Sequence, residues 1–476
     1  MSQSEVKKDQ QLEDKEIPTK ATLMEEIRQR MGGVKRTVDV CIYKVPSKLR
    51  KVNEDAYNPR VVSIGPYHQE NPDLVDAMKE HKWRYMTSFL QQTNIPQESK
   101  ECLERCVDAI YELCGEARQC YSETIKYNEN ELAKIMLLDG CFILELFVRC
   151  HANVEVNEDG QPDPVRKSAW MITALQHDLG LLENQIPFFI LVRLYEIVKP
   201  RATKNYSVAS LALKFFDPLS RKPRPEEKDQ LGTDFKHLLD LLHKFYFLTA
   251  VSVPSVVLNN ITEEQTSSCP SEPDYTSSNK WGFKYCTSEL LEAAIEFQIP
   301  AWDDNKLLNI NFDNGVLSIP QLIITDASSS VLRNLIAFEQ YGVSSTNGVT
   351  SYAFLLQSLI SNTSDFKLLL DKEIIAHNRF SDPEFLSEFE TIVKDVVPKD
   401  DFYFAKLRDQ VDKYKTPWYH FNKLKVFFVV QLQSEIMIVW KNRFTAKWSF
   451  LSVLSALALL ILAFLQTYYT MHDPSS

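Results

Sequence analysis

Glycine is scarce in this chain, with 12 among 476 residues. Loops that cradle phosphate need several glycines close together, because backbone N–H groups must approach the anion at positive φ. Neither GxxxxGK nor a glycine-rich dinucleotide turn occurs. HExxH, CxxC and GxSxG are also missing, so the sequence offers no helix-borne zinc hydrolase site, no paired-thiol motif and no nucleophile elbow. Positive charge is in deficit: 53 Lys and Arg stand against 64 Asp and Glu, a net charge of -11, which argues against a general nucleic-acid binder. Residues 1–27 are polar and charged without an apolar run, so no secretory signal is expected there.

What is present suits a large folded body. Hydrophobic residues make up 44% and charged residues 25%, ordinary globular values that allow a sizeable core. The length admits two or three domains or one large helical unit. Nine cysteines, an odd number without regular spacing, read as reduced thiols. Cys102, Cys106, Cys114 and Cys120 lie close enough in sequence to raise a zinc site, but they lack two tightly spaced pairs and read better as small core residues.

The longest uncharged run closes the chain. Trp448 to Met471 is 24 residues without a charged side chain, and ~20 apolar helical residues cross a hydrocarbon core. Lys441, Arg443 and Lys447 precede it, Trp448, Tyr468 and Tyr469 sit at its ends, and Leu451, Leu454, Leu457, Leu460, Ile461 and Phe464 fill its middle. The expectation is one C-terminal transmembrane helix that contacts membrane lipid, inserted as a tail anchor, with the body cytosolic by the positive-inside tendency. Sequons at Asn205, Asn260 and Asn362 support the opposite orientation, in which the body is lumenal and glycosylated. Which membrane is involved stays open.

In chain order, 1–35 reads as a disordered or weakly helical tail, 36–440 as the body, 448–471 as the membrane helix and 472–476 as a short tail. Within the body, Pro46, Pro59, Gly65 and Pro66 break the first stretch, and Val61 to Ile64 is a short extended candidate. Helices are expected over 74–90, 98–127, 131–150, 165–177 and 185–198, with 131–150 central because it is apolar nearly all round. RKPRP at 221–225 reads as an exposed linker, and 259–280 as a flexible surface insertion suited to recognition or to spacing. A helix is expected over 287–297. Three short apolar runs between 307 and 325, turning at Asn314-Gly315, predict a small antiparallel sheet. Helices return over 330–341, 352–360, 366–375, 382–396 and 402–433. The expected fold class is mainly α: a large helical body with a small antiparallel β-hairpin element and one C-terminal transmembrane helix.

Several spaced motifs point to a family. Tyr43, Val45, Pro46, Leu49, Arg50, Val52, Asn53, Ala56, Tyr57 and Pro59 lead into VSIGPYH at 62–68 and EHKWRY at 80–85. LLDGCFILELF at 137–147, HDLGLLENQIPFFIL at 177–191, SELLEAAIEF at 288–297, LSIPQLIITD at 317–326 and LRNLIAFEQ at 332–340 follow in order. Together they resemble the plant family called domain of unknown function 247, from about residue 40 onward. Gln69, Ala294, Ser328 and Ser329 depart from the family's usual residues. The resemblance implies no assigned catalytic residue. It implies a recognition or signalling role, since some grass members are implicated in pollen-side self-incompatibility.

Candidate chemistry rests on polar residues inside apolar stretches. Asp139 and Glu145 lie in the 131–150 run, and Asp178, Glu183, Asn184 and Gln185 lie between two apolar helices. Acids so placed can act in acid–base catalysis; capping a helix or bonding loop backbone is the competing role. With His68, His81, His177 and His243 they could form a hydrolase-like site. The favoured expectation is a non-enzymatic recognition or signalling module working through an unknown protein partner, without cofactor or metal. A membrane-tethered enzyme and a subunit of a channel or transport complex are the alternatives, and oligomerisation is open.

Overall fold

The computed structural model describes residues 40–92, 99–154, 160, 162–216, 234–247, 281–300, 306–342, 347–377, 386–387, 389–398, 402–414 and 454–463, together with 24 and 28. The tail at 1–35 apart from 24 and 28, the cluster at 221–225, the insertion at 259–280 with Asn260, and 472–476 lie outside the described residues.

The first half is helical: α1 (Ser47–Val52), α2 (Pro72–Gln91), α3 (Ser99–Gln119), α4 (Glu129–Ala152), α5 (Pro164–Lys167), α6 (Ala169–Leu179), α7 (Phe188–Val198), α8 (Val208–Phe215) and α9 (Leu238–Phe247). α4 is the axis, with α2, α3, α7 and α8 packed around it. A capping box starts it: the Asn128 side chain accepts from the Glu131 N–H at 3.0 Å, and Glu131 accepts from the Asn128 N–H at 2.9 Å. It is buried at almost every position from Leu132 to Arg149, as its all-round apolar sequence requires. The expected single helix over 165–177 is two, α5 and α6, parted at Ser168, which is extended at ψ 107.

The second half adds α10 (Thr287–Glu292), β1 (Glu296–Gln298), β2 (Asn311–Asp313), β3 (Val316–Ser318), β4 (Leu322–Ile324), α11 (Asp326–Gln340), α12 (Gly348–Leu359), α13 (Thr363–Asp371) and β5 (Ile375–His377). α11 is a second axis, against α6, α9 and α12. It ties the halves together through Asn334, whose Nδ2 donates to the Ala56 carbonyl at 2.8 Å and whose Oδ1 accepts from the Leu182 N–H at 2.9 Å.

The hairpin at Asn314-Gly315 forms, with both residues at positive φ (49° and 84°) and β2 antiparallel to β3. The sheet around it departs from expectation. β1 pairs with β3 in parallel, although 287–297 reads as one helix; the helix ends at Glu292 and Ala294 turns the chain at φ 60°. β4 leaves this sheet and pairs in parallel with β5, so the expected small antiparallel sheet is a mixed three-stranded sheet and a separate parallel pair.

The transmembrane part of the expected fold class is overturned. Among the described residues no helix is long and apolar enough to cross a membrane. Within 448–471 the described residues are 454–463, and these are helical. Leu454, Leu457, Leu460 and Ile461 are exposed, whereas Trp448, Leu451, Phe464, Tyr468 and Tyr469 lie outside the described residues. The fold class is mainly α with small sheets.

Candidate functional site

Residues 60–65, the heart of the VSIGPYH signature, belong to no strand. Side chains take their N–H groups instead. Asp178 Oδ1 accepts from Arg60 N at 2.8 Å, and Oδ2 accepts from Val61 N and Val62 N at 2.8 and 2.9 Å. Asn184 Oδ1 accepts from Ile64 N at 2.7 Å, and Asp139 Oδ2 from Gly65 N at 2.8 Å. Asn184 Nδ2 donates back to the Val62 and Asp178 carbonyls at 3.0 and 2.9 Å. Buried backbone groups must be paired, and a carboxylate can take several donors at once, so three side chains do the work of a neighbouring strand.

Gly65 is required where this segment turns. Its φ is +69°, and an added Cβ would meet the backbone carbonyl of Gln185, to which the Tyr121 hydroxyl already donates at 2.9 Å. Of the two structural roles expected for Asn184 and Gln185, capping fails because α7 begins at Phe188 after Pro187, while bonding of loop backbone holds. Gln185 Nε2 donates to the Leu179 and Leu181 carbonyls at 2.7 and 2.8 Å.

Lys82 and Asp139 form a buried ion pair below the segment, and Lys82 Nζ also donates to the Ser63 carbonyl at 2.5 Å. Burial pushes the Asp139 carboxyl up from its ordinary pKa, opposed by the Lys82 ammonium and the Gly65 N–H. Glu183 secures the preceding chain: Oε1 accepts from Val45 N and from Arg50 Nη2, both at 2.6 Å. Its Oε2 is 3.9 Å from His68 Nε2. Burial lowers the His68 pKa, with the Glu183 carboxylate opposing.

Glu145 belongs to a different cluster. It accepts from Ser88 Oγ at 2.7 Å and Arg149 Nε at 2.7 Å, while Arg149 Nη1 and the Tyr85 hydroxyl donate to Asp163 Oδ2 at 3.0 and 2.7 Å. His243 pairs with Glu339 at 2.9 Å, and Glu339 also accepts the Val349 and Thr350 N–H groups at the start of α12. His177 Nδ1 is 2.8 Å from Asp178 Oδ1. His81, on α2, shares neither cluster. Asp139, Asp178 and Glu183 therefore do converge, through a shared hold on residues 45–65, while Glu145, His81 and His243 stand apart.

Cys102, Cys106, Cys114 and Cys120 are buried, and among the described residues no group of three or more His, Cys, Asp or Glu is arranged to hold a metal ion. Asn205 is exposed, and Asn362 caps α13 by accepting from the Ser364 and Asp365 N–H groups at 2.8 and 3.0 Å.

Lys82, Arg149, Asn334 and Glu339 escaped the sequence reading. Lys82 had a signal: it falls four residues after Met78 and shares the buried face of α2 with Tyr85 and Phe89. A lysine on such a face needs a buried partner. Beside this pair a cavity of about 260 Å³ opens between α2 and α4, with Lys82 and Asp139 in its lining together with Lys79, Trp83, Tyr127 and Lys134.

The chain matches, over residues 42–462, the family model described as plant protein of unknown function. It is 31% identical over 435 residues to the Arabidopsis thaliana UPF0481 protein At3g47200, covering 90% of this chain and 85% of that protein. A second Arabidopsis thaliana UPF0481 protein, At3g02645, is 22% identical over 508 residues, covering 90% of each chain. No solved structure matches the chain. The protein belongs to the plant family DUF247.

Proposed function

We propose that this protein is a non-enzymatic recognition module that acts through contacts with a partner protein. The observation that carries the reading is the commitment of the buried acids. Asp178 and Glu183 accept backbone N–H groups, and Asp139 accepts one more while paired with Lys82. Acid–base catalysis needs such groups within reach of a substrate proton; here they shape the amino-terminal segment. The surface supplies contact residues of the type that dominates binding energy at interfaces: Trp170 is 62% exposed, and Tyr206, which packs on His151, is exposed too. A cytosolic body fits the reading, since the eight described cysteines are thiols outside any disulfide.

The test is photocrosslinking from position 167, exposed three residues before Trp170, in plant extract, with Trp170→Ala as the comparison. A single adduct of defined mass, competed away by unlabelled protein and weakened at least about tenfold by Trp170→Ala, supports the reading. Ester or phosphoester hydrolysis that follows the protein through purification and disappears in Asp178→Asn would overturn it.

A further inference from the structure

The cavity between α2 and α4 has an uneven balance of committed and uncommitted charge. Both of its carboxylates are engaged: Asp139 by Lys82 and the Gly65 N–H, and Glu131 by the Asn128 N–H at 2.9 Å. Two of its three lysines, Lys79 and Lys134, form no ion pair among the described residues. Lys82 is only 6% exposed and uses two of its three N–H donors, on Asp139 and Ser63, which leaves a third donor in the cavity lining. Lys134 is exposed, with its ammonium 5.8 Å from the Trp83 ring centroid, and Lys79 makes no ion pair among the described residues. In a chain with net charge -11, this is a local cationic surplus beside two aromatic rings, Trp83 and Tyr127.

We propose that this cavity binds a small aromatic organic acid, whose carboxylate meets the Lys82 ammonium and the lysines outside it while its ring lies against Trp83. The chemistry follows from the lining. An anion gains charge-assisted hydrogen bonds from a donor held in a water-poor base, where they are stronger than in bulk water. Val75, Ile135 and Leu138 supply apolar surface for the ring. The volume, about 260 Å³, is just below the ~300–1,000 Å³ common for small-molecule sites, which suits one or two fused rings and not a nucleotide. A cationic ligand would face the Lys79 and Lys134 ammonium groups, with Asp139 already paired to Lys82. This inference is independent of the protein-contact reading above.

The experiment is calorimetric titration of the full-length protein with 2-naphthoate, with its neutral isostere 2-naphthamide and with inorganic phosphate. Saturable one-to-one binding of 2-naphthoate is expected. The amide should bind about tenfold or more weakly, because it forfeits the charge-assisted bonds, and phosphate should be weaker still, because it has no ring. Lys134→Gln and Trp83→Ala alter side chains that reach the surface, so the far-ultraviolet circular dichroism should stay unchanged while affinity for 2-naphthoate falls severalfold. Trp83→Phe, which keeps a ring, should restore most of it. Absence of saturable binding, equal affinity for acid and amide, phosphate binding as tightly as 2-naphthoate, or full affinity in both Lys134→Gln and Trp83→Ala would overturn the proposal.

Discussion

The carboxylate of Asp178 accepts the backbone N–H of Val62 at 2.9 Å from 116 residues further along the chain. The same carboxylate takes Arg60 and Val61, so one side chain sets the path of the signature segment. This relationship explains why VSIGPYH and HDLGLLENQ, distant in sequence, form one structural unit.

Asp178→Asn is expected to destabilise the protein by about 2–4 kcal/mol. The amide keeps one accepting oxygen and puts a donor in place of the other, so at least one N–H group of 60–62 faces a donor in place of its acceptor. The midpoint of chemical denaturation measures it, provided the slope is unchanged. A loss under about 0.5 kcal/mol would show that the segment holds its path without this carboxylate.

Lys82→Met should cost about 3–5 kcal/mol, since it strands the Asp139 charge in the core. Adding Asp139→Asn should recover part of that loss, because the remaining amide is neutral and can still accept from Gly65 N. A double-mutant cycle reads the coupling; strictly additive effects would mean that the two groups do not act as a pair.

Gly65→Ala should cost at least about 2 kcal/mol. It combines a side chain at φ +69° with a collision against the Gln185 carbonyl, which is backbone and cannot rotate away. Gly115→Ala, at a position with open space around it, is the control and should be neutral or slightly stabilising. Comparison of the two thermal midpoints decides the matter.

Stability should fall on mild acidification because of His237. Burial lowers its pKa to about 4, with Asp240 opposing. Its Nε2 meets the Cys41 carbonyl at 3.0 Å while Nδ1 accepts from Asp240 N at 3.2 Å, a neutral tautomer that a second proton would disrupt. The unfolded imidazole, near pKa 6.5, binds a proton that the folded one refuses. Its stabilising effect is therefore intact above about pH 6.5 and lost progressively as pH falls to about 4, by roughly 3 kcal/mol. Denaturation curves at pH 7 and pH 4.5 for the wild type and His237→Gln test this: the variant should lose less, and parallel losses would remove His237 as the cause.

Much of the helical body was legible because amphipathic and all-apolar spacing is a local property. α2, α4, α11 and α12 lie within a few residues of where periodicity puts them, and Asn314-Gly315 announces its own hairpin. The uncharged run at 448–471 was legible as an apolar stretch, but among the described residues no helix is long and apolar enough to cross a membrane.

The sequence by itself determined most of the helical stretches, which polar residues were out of place among apolar neighbours, and the family to which the motifs belong. Only the tertiary structure decided what those polar residues do. For Asp139, Asp178 and Glu183 a catalytic role stays open beside the favoured structural one until the fold brings residues 45–65 across them, because a carboxylate's role is set by the donors around it. Those donors lie on backbone up to 138 residues away in the chain. The pairing of β4 with β5 and the Lys82–Asp139 bond have the same origin: each joins groups whose meeting depends on the packing between elements, which no local spacing encodes.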